Sequence, residues 1–545
     1  MLALASCVKE DPSGDGPEVP QAPEGYGFLS LAIDINGQAL LTRSQQAPAE
    51  EEGTAEENHV AKVRLVLYSD DVVQYAFDFN IRTKADGSGY EEYGVGADEL
   101  PHLYESYNAG HFITFARQIR RTNYKMLLIV NPTKSDTYYE RDLYWLTEEG
   151  QSISNIMSSD YTEVYNPVDY RPSGWYTGDT RPTHEQIRDE DGGIAAPNYF
   201  LMTNHRGFID VPADRLRNTA NSSNHDPVRV EVSRAVAKVV VASRAPEVMG
   251  NATAFDFKWE LDVTNQKSFW MRMPTNMTTD DGSIGEMEPE FDPNDPARPE
   301  RQYLYGKDPN FSELSDQGAP DPLYEYLTGQ ERLDELFELR WREFNYLAYP
   351  TNDQEDPSYI VPVPCPALTL PLGSVRYCLE NTMALSDQHE DVTTRLIVSC
   401  TYWPAGYEDE GGYYIYNDYY VLPSEMKAFK DDDMEVPDEL AGIKTDMAAL
   451  LADKGIDAAQ PQTESFSANN IRYYHAGLNY YAVDIVHSRQ AGYGHYGILR
   501  NNVYRITLEA VRGPGSPTVI NPEAVNLSSA VNVLQWWGRL QYVEL

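Results

Sequence analysis

"FLSLAIDIN" occupies residues 28–36, and its alternation decides how the rest of the chain is read. Leu29, Leu31, Ile33 and Ile35 share one face, with Ser30, Ala32 and Asp34 on the other, the period of two that marks a half-buried strand. This strand stands alone. The stretch that follows Arg43, "SQQAPAEEEGTAEEN" (residues 44–58), is acidic and has no comparable pattern. From residue 59 strand-like runs return: "HVAKVRLVLYS" (59–69), "YKMLLIVNP" (124–132), "NYFLMTN" (198–204), "VRVEVSRAVAKVVVAS" (228–243) and "FDFKWELDVTN" (255–265), bounded by turn residues. The second half adds "GSVRYCLENT" (373–382), "TTRLIVSCTYW" (393–403), "GYYIYNDYYVLP" (412–423), "LNYYAVDIVH" (478–487) and "NNVYRITLEAV" (501–511). Between them, Leu440, Ile443, Met447 and Leu451 predict one helix over 437–456, packed on a sandwich. Repeated Asp-Pro steps in residues 282–322 exclude a regular helix or central strand and predict an insertion loop. The expected fold class is all-β, with a few short helices and long loop insertions.

Composition narrows the function. With 43 Lys+Arg against 85 Asp+Glu, the net charge of −42 opposes any phosphate-lined partner, so nucleic acid is not an expected one. No run approaches the ~20 apolar residues of a membrane-spanning helix. Motifs for catalysis are missing: there is no nucleophile elbow, phosphate loop or dinucleotide fingerprint, and "HEQIRDE" at His184 carries Arg188 where a zinc motif needs its second histidine. The acidic run 430–439 lacks the turn glycine of a calcium loop. His475, His487 and His495, near Tyr473, Tyr474 and Tyr493, follow no metal-ligand spacing and read as structural. No enzyme, metal or cofactor is expected.

The N-terminus begins "MLALASC", where Leu4, Ala5 and Ser6 precede Cys7 as the residues of a lipoprotein cleavage site do. A polar Pro/Gly tether follows, as between a lipidated cysteine and a folded body. If Cys7 is acylated, Cys365, Cys378 and Cys400 remain, an odd set expected to be buried small residues rather than a disulfide framework. Arg43 is the one Lys or Arg between Lys9 and Lys62, in a loop that does not pair into a sheet, so a protease cleft can take it there. At the other end, "AVNVLQWWGRLQYVEL" (530–545) is apolar on both faces: Val531, Val533, Trp537, Val543 and Leu545 on one, Leu534, Trp536, Leu540 and Tyr542 on the other. Gly538 can bend it between two pairing segments. A strand so apolar needs a groove to enter.

Five segments taken in order resemble the fimbrillins of Bacteroidetes: the Cys7 lipobox, "VEVSRAVAKVVV" around residues 234–238, "YCLENT" around 380–382, "YGILRNNVYRITL" (496–508) and the terminal "VLQWWGRLQYVEL". The match looks closer to the larger minor-fimbria shaft subunit than to the major type, and the 282–322 insertion is a departure. The resemblance implies two tandem transthyretin-like β-sandwich domains. They are expected at 44–245 and 246–522, after a signal remnant and tether (1–25) and a removable first strand with its cleavage loop (26–43), and before a donor strand (523–545). It implies that an arginine-specific protease cuts between Arg43 and Ser44, that the strand bearing Leu29, Leu31, Ile33 and Ile35 leaves, and that the C-terminal strand of another copy fills the groove. The partners so implied are other copies of the chain, accessory fimbrial subunits, the protease and, through Cys7, the outer membrane, with the mature subunit at the cell surface. Competing readings are a surface glycan-binding lipoprotein, suggested by Trp403, Trp536 and Trp537, and a fimbrial anchor or tip protein.

Overall fold

The computed structural model describes residues 21–35, 50–83, 90–93, 111–113, 116–132, 143–158, 160–161, 195–196, 199–205, 207–262, 264–265, 268–271, 273–274, 306–307, 337–338, 368, 370–382, 393–487, 495–518 and 526–537. Strands carry the fold and helices are short. The first half runs β1 (Tyr26–Leu29), β2 (Leu31–Ile35), β3 (Glu50–Glu52), α1 (Ala55–Asn58), β4 (Lys62–Ser69), β5 (Val72–Thr83), β6 (Tyr90–Tyr93), β7 (His111–Ile113), β8 (Arg117–Arg120) and β9 (Tyr124–Val130). It continues through α2 (Leu143–Leu146), α3 (Ile153–Ser158), β10 (Met202–Asn204), β11 (Ile209–Val211), α4 (Ala220–His225), β12 (Val228–Arg234) and β13 (Ala237–Val241). The second half supplies β14 (Ala252–Asp262), β15 (Val375–Cys378), β16 (Arg395–Pro404), β17 (Gly412–Tyr416), β18 (Tyr419–Val421), α5 (Pro423–Lys430) and α6 (Ile443–Lys454). It closes with β19 (Phe466–Ala468), β20 (Ile471–His475), β21 (Leu478–Asp484), β22 (Asn502–Val511) and β23 (Leu527–Trp537).

Nine strands form the first sheet in the order β6-β5-β4-β9-β10-β12-β2-β7, with β11 against β9. Its centre is buried on both faces: in β4, Val63, Leu65 and Leu67 on one side and Val66 and Tyr68 on the other all lie in the core. Near-continuous apolar runs such as "LLIV" in β9 have this cause, since a strand covered on both faces has no solvent side to alternate with.

At Ala235–Val236, both buried, the chain passes from β12 into β13 and so changes sheet. The six-stranded second sheet has the order β15-β13-β22-β23-β3, with Glu247–Val248 also on β22. A four-stranded sheet of Leu370–Pro371, β14, β16 and β21 faces it. Val239, Ile506, Trp259, Val398 and Tyr481 from the two sheets share one core, which makes this pair a sandwich. The change of sheet falls before the expected boundary at 245/246, and β3 joins the second sheet from a stretch that sequence pattern left unassigned.

A further four-stranded sheet, β18-β17-β20-β19, is covered by α5 and α6, whose Met426, Phe429, Ile443, Met447 and Leu450 pack on Tyr414, Val421 and Ile471. The single helix expected over 437–456 is corrected here. Gly442 (φ 95°) breaks it into a 3-10 turn at Asp438–Leu440 and α6, and Gly455 (φ 70°) ends α6 in the left-handed conformation that favours glycine. Leu450 takes the buried place predicted for Leu451, which is 45% exposed. Cys378 and Cys400 are buried free thiols, as expected, and burial pushes Cys400 up to about 12. Cys365 lies outside the described residues, as does most of the 282–322 insertion. Among the described residues, no helix is long and apolar enough to cross a membrane.

Candidate assembly site: the N-terminal segment and its slot

The expected single strand over 28–36 is two strands meeting at Ser30. β1 pairs antiparallel with β8, Phe28 opposite Gln118 and Leu29 opposite Arg117. On its other edge Phe28 N–H donates to the Arg217 carbonyl (2.7 Å) and Arg217 N–H donates back (3.0 Å). Arg121 closes the wall, donating from Nη1 to the Leu216 carbonyl at 2.9 Å and from Nη2 to Asn218 Oδ1 at 2.7 Å. Past the kink, β2 runs parallel to β12, Leu31 opposite Val228 through Ile35 opposite Val232. Its far edge pairs antiparallel with β7, Ile33 opposite Phe112.

Leu29, Leu31 and Ile33 are buried in the first core, as the alternation predicts. Ile35 lies in β2, but its side chain is outside the described residues. The opposite face is not solvated as alternation implies. Ser30 is 0% exposed and Ala32 is buried. The Ser30 hydroxyl donates to Asn224 Oδ1 of α4 (2.5 Å), which removes the cost of burying an unpaired polar group. Three buried aliphatic side chains at about 1.5–3 kcal/mol each hold this segment, together with ladders on both edges. Arg43, Ser44 and Cys7 lie outside the described residues.

The C-terminal strand requires a correction as far as Trp537. β23 pairs antiparallel with β22 from Leu527 opposite Val511 to Gln535 opposite Asn502. Its distal end carries β3 in parallel, Glu50–Glu52 opposite Gln535, Trp536 and Trp537. Val531 and Val533 are half-buried against the sandwich core, and Leu527 is buried in it. Residues 530–537 therefore complete the chain's own sheet: the buried strand β22 needs a partner on that edge, and β23 is the nearest segment in sequence. Leu534, Trp536 and Trp537 are strand positions whose side chains are not described, and Leu540, Tyr542, Val543 and Leu545 lie outside the described residues.

Between slot and C-terminal strand sits a buried polar cluster that sequence pattern missed. Glu57 and Asn58 end α1, whose N-terminus is fixed by a capping box: Glu57 N–H donates to Thr54 Oγ1 (3.2 Å), and Thr54 N–H to Glu57 Oε2 (2.8 Å). Lys238 Nζ lies 3.0 Å from Glu57 Oε1, and the Tyr377 hydroxyl donates to the same oxygen at 2.6 Å. Arg234, fully buried at the end of β12, donates from Nε to the Glu57 carbonyl (3.2 Å) and from Nη2 to Asn58 Oδ1. Its own backbone N–H donates to Asn501 Oδ1 (3.2 Å). Burial works to raise the Glu57 carboxyl, but the Lys238 charge, the Tyr377 hydroxyl and the Thr54 backbone outweigh it and hold the group below 4.5. Burial pushes the Arg234 guanidinium down to about 10, against the opposing pull of Glu57. A second buried pair, Arg500 Nε to Glu380 Oε2 at 3.0 Å, lies beside Asn381, which donates to Thr394 Oγ1 at 3.1 Å. The stretches around 234–238, 380–382 and 496–508 thus supply buried polar groups to the interior. The readable signal for α1 was Thr54-x-x-Glu57, a capping-box spacing within the acidic stretch that shows no strand pattern.

The remaining residues singled out by sequence do not converge. His487 Nδ1 is 2.9 Å from the Tyr504 hydroxyl and the His487 backbone N–H donates to the His495 carbonyl, while His475 ends β20. Trp403 is half-buried, its ring 5.9 Å from Tyr413 and backed by Gly477, where a Cβ would come within 2.7 Å of the indole.

Residues 472–541, which include β21, β22 and β23, match the family model described as major fimbrial subunit protein type IV, fimbrillin, C-terminal. This segment is similar to the C-terminal part of fimbrillins. The fimbrillin segment thus covers the strand that the chain pairs with its own β22. None of the curated proteins compared matches the chain. Similar solved structures include a candidate cell adhesion protein from Parabacteroides distasonis, at 12% identity over 94% of this chain and 100% of that one, TM-score 0.37. A fimbrilin from Porphyromonas gingivalis matches at 13% identity over 94% and 98% of the two chains, TM-score 0.34. A tip fimbrial protein of the same organism matches at 8% identity over 93% and 100%, TM-score 0.30.

Proposed function

We propose that the chain is a structural shaft subunit of a surface fimbria, exported as a lipoprotein on Cys7, cut between Arg43 and Ser44, and polymerised by strand exchange. The observation that carries this reading is the seating of residues 26–35. Residues 31–35 lie between β12 and β7 and residues 26–29 against β8, and residues 36–49 connect this segment to β3. Cutting that connection turns an internal strand into a separate peptide held by side chains and ladders alone. The fimbrillin match over residues 472–541 supports the same reading. In this scheme β3 and α1 stay with the body after cleavage, because β23 and the Arg234–Lys238 cluster hold them. The donor is then the part of the chain after Trp537, with Leu540, Tyr542, Val543 and Leu545, while Leu527–Trp537 remain in their own sheet. Division at the change of sheet into two transthyretin-like domains belongs to the same proposal.

Purified chain incubated with an arginine-specific protease should form filaments visible by electron microscopy, with Ser44 as the N-terminus of the polymerised subunit. Arg43→Ala should fold normally and accumulate as monomer. Fibres of normal length from that variant would sink the scheme. Labelled fatty acid should be incorporated in cells and lost on Cys7→Ser, and equal labelling of the variant would remove Cys7 from the account.

A further inference from the structure

The wall of the slot is closed at one point. Gly27 is buried, and a Cβ built on it would stand 2.8 Å from Leu216 Cβ, 3.0 Å from Arg121 Nη2 and 3.3 Å from the Arg217 carbonyl. The arginine tip could move, but Leu216 Cβ and the carbonyl are fixed to the backbone, and Arg121 is itself tied to Leu216 and Asn218. Two residues on, Leu29 drops into the core. The slot therefore reads a pattern: glycine, any residue, leucine, in an extended strand.

We infer that the slot is glycine-gated and that Gly538–Leu540 of a second copy seats where Gly27–Leu29 sits. The inference rests on the strand-exchange reading and adds the partner's register to it. Gly-x-Leu followed by a polar and then a large apolar residue occurs twice in the chain, as Gly27-Phe28-Leu29-Ser30-Leu31 and Gly538-Arg539-Leu540-Gln541-Tyr542. Phe28 is half-buried rather than buried, so the middle position tolerates Arg539. Beyond Leu540 the incoming Gln541, Tyr542 and Val543 are larger than Ser30, Leu31 and Ala32, and the β2 half of the slot must widen to take them. Its outer wall can do so: β7 is three residues long and pairs with β2 alone among the described strands. The gate thus fixes the anchor end, while β7 closes on whatever strand follows it.

Two experiments test the gate. In fibres made from full-length chain, the pair Gln118→Cys and Arg539→Cys should form an intersubunit disulfide, because Gln118 stands opposite Phe28. Cross-linking that peaks at another tail position would overturn the register while leaving polymerisation intact. Failure to form any intersubunit contact would instead overturn strand exchange by the C-terminal tail. The second arm does not need fibres. A fluorescent peptide of residues 21–36 should exchange into the protease-cut chain, and the same peptide carrying Gly27→Ala should exchange about tenfold less or worse. Equal uptake of the two peptides, or uptake of neither, would overturn the gate.

Discussion

Deleting residues 523–545 should unfold the C-terminal sandwich, whereas deleting 538–545 should leave its melting temperature unchanged and abolish fibres. The first deletion removes β23, which covers one edge of β22 and sends Leu527 into the core. It uncovers an edge whose Val503, Tyr504, Ile506, Leu508 and Val511 are buried. Loss of one buried leucine costs about 1.5–3 kcal/mol, and each ladder hydrogen bond about 0.5–1.5 kcal/mol. The sum, on the order of 5–10 kcal/mol, approaches the whole stability of a typical domain, about 5–15 kcal/mol. Thermal melts followed by circular dichroism separate the two truncations. A chain ending at Pro522 that melts with the full-length protein would show that all of β23 is dispensable to its own fold.

Lys238→Met should be among the most damaging single substitutions. It leaves the Glu57 carboxylate buried, with the Tyr377 hydroxyl and the Thr54 N–H as donors but its cation gone. Breaking one side of a buried ion pair costs about 3–5 kcal/mol. For a unit of about 150–250 residues that is a fall of roughly 10 °C or more in melting temperature. Adding Glu57→Gln should recover much of the loss, because the stranded charge is then removed. In the parent chain Glu57 titrates below 4.5 when folded, so its ionised form stabilises the fold fully above the unfolded value. That contribution is lost as pH falls through the folded value. Acid melts should therefore show a loss below about pH 4.5 that Glu57→Gln lacks. A variant with the same acid profile as the parent would remove Glu57 from the account.

How far the chain could be read before its structure depended on where each strand lies. Runs such as those in β4, β9 and β16 announced themselves because two covered faces favour apolar residues throughout, and β22 did so by alternation, with Arg505 and Glu509 exposed between buried residues. The alternation of Leu29, Leu31 and Ile33 located the slot strand but hid its kink, since Ser30 is buried for a reason outside its own stretch: Asn224, far along the chain, accepts its hydroxyl proton. β3 was illegible for the same reason. Three consecutive glutamates carry no strand pattern, and they form a strand by pairing with the distal end of β23. Gly442 and Gly455 were visible as letters, but which of them broke the helix depended on packing against Tyr414 and Ile471. The C-terminal segment misled because apolar side chains on both faces are equally the mark of a strand awaiting a foreign groove and of one already in its own sheet.

The passage of the backbone from β12 to β13 without a loop has a mechanical meaning. β12 forms one wall of the slot, and β13 lies beside β22, which holds β23. A pull applied to the slot strand at one end and to the C-terminal tail at the other travels along one covalent chain through Ala235–Val236. Along that route lie the β2–β12, β13–β22 and β22–β23 ladders. Because ladder bonds lie across the strands, tension along the strands strains each ladder sideways and all of its bonds share the load, instead of peeling open one bond at a time. The buried cluster of Arg234, Lys238, Glu57 and Asn501 brackets the point where that tension changes sheets. A buried polar cluster thus sits at the splice that a stretched fibre would load.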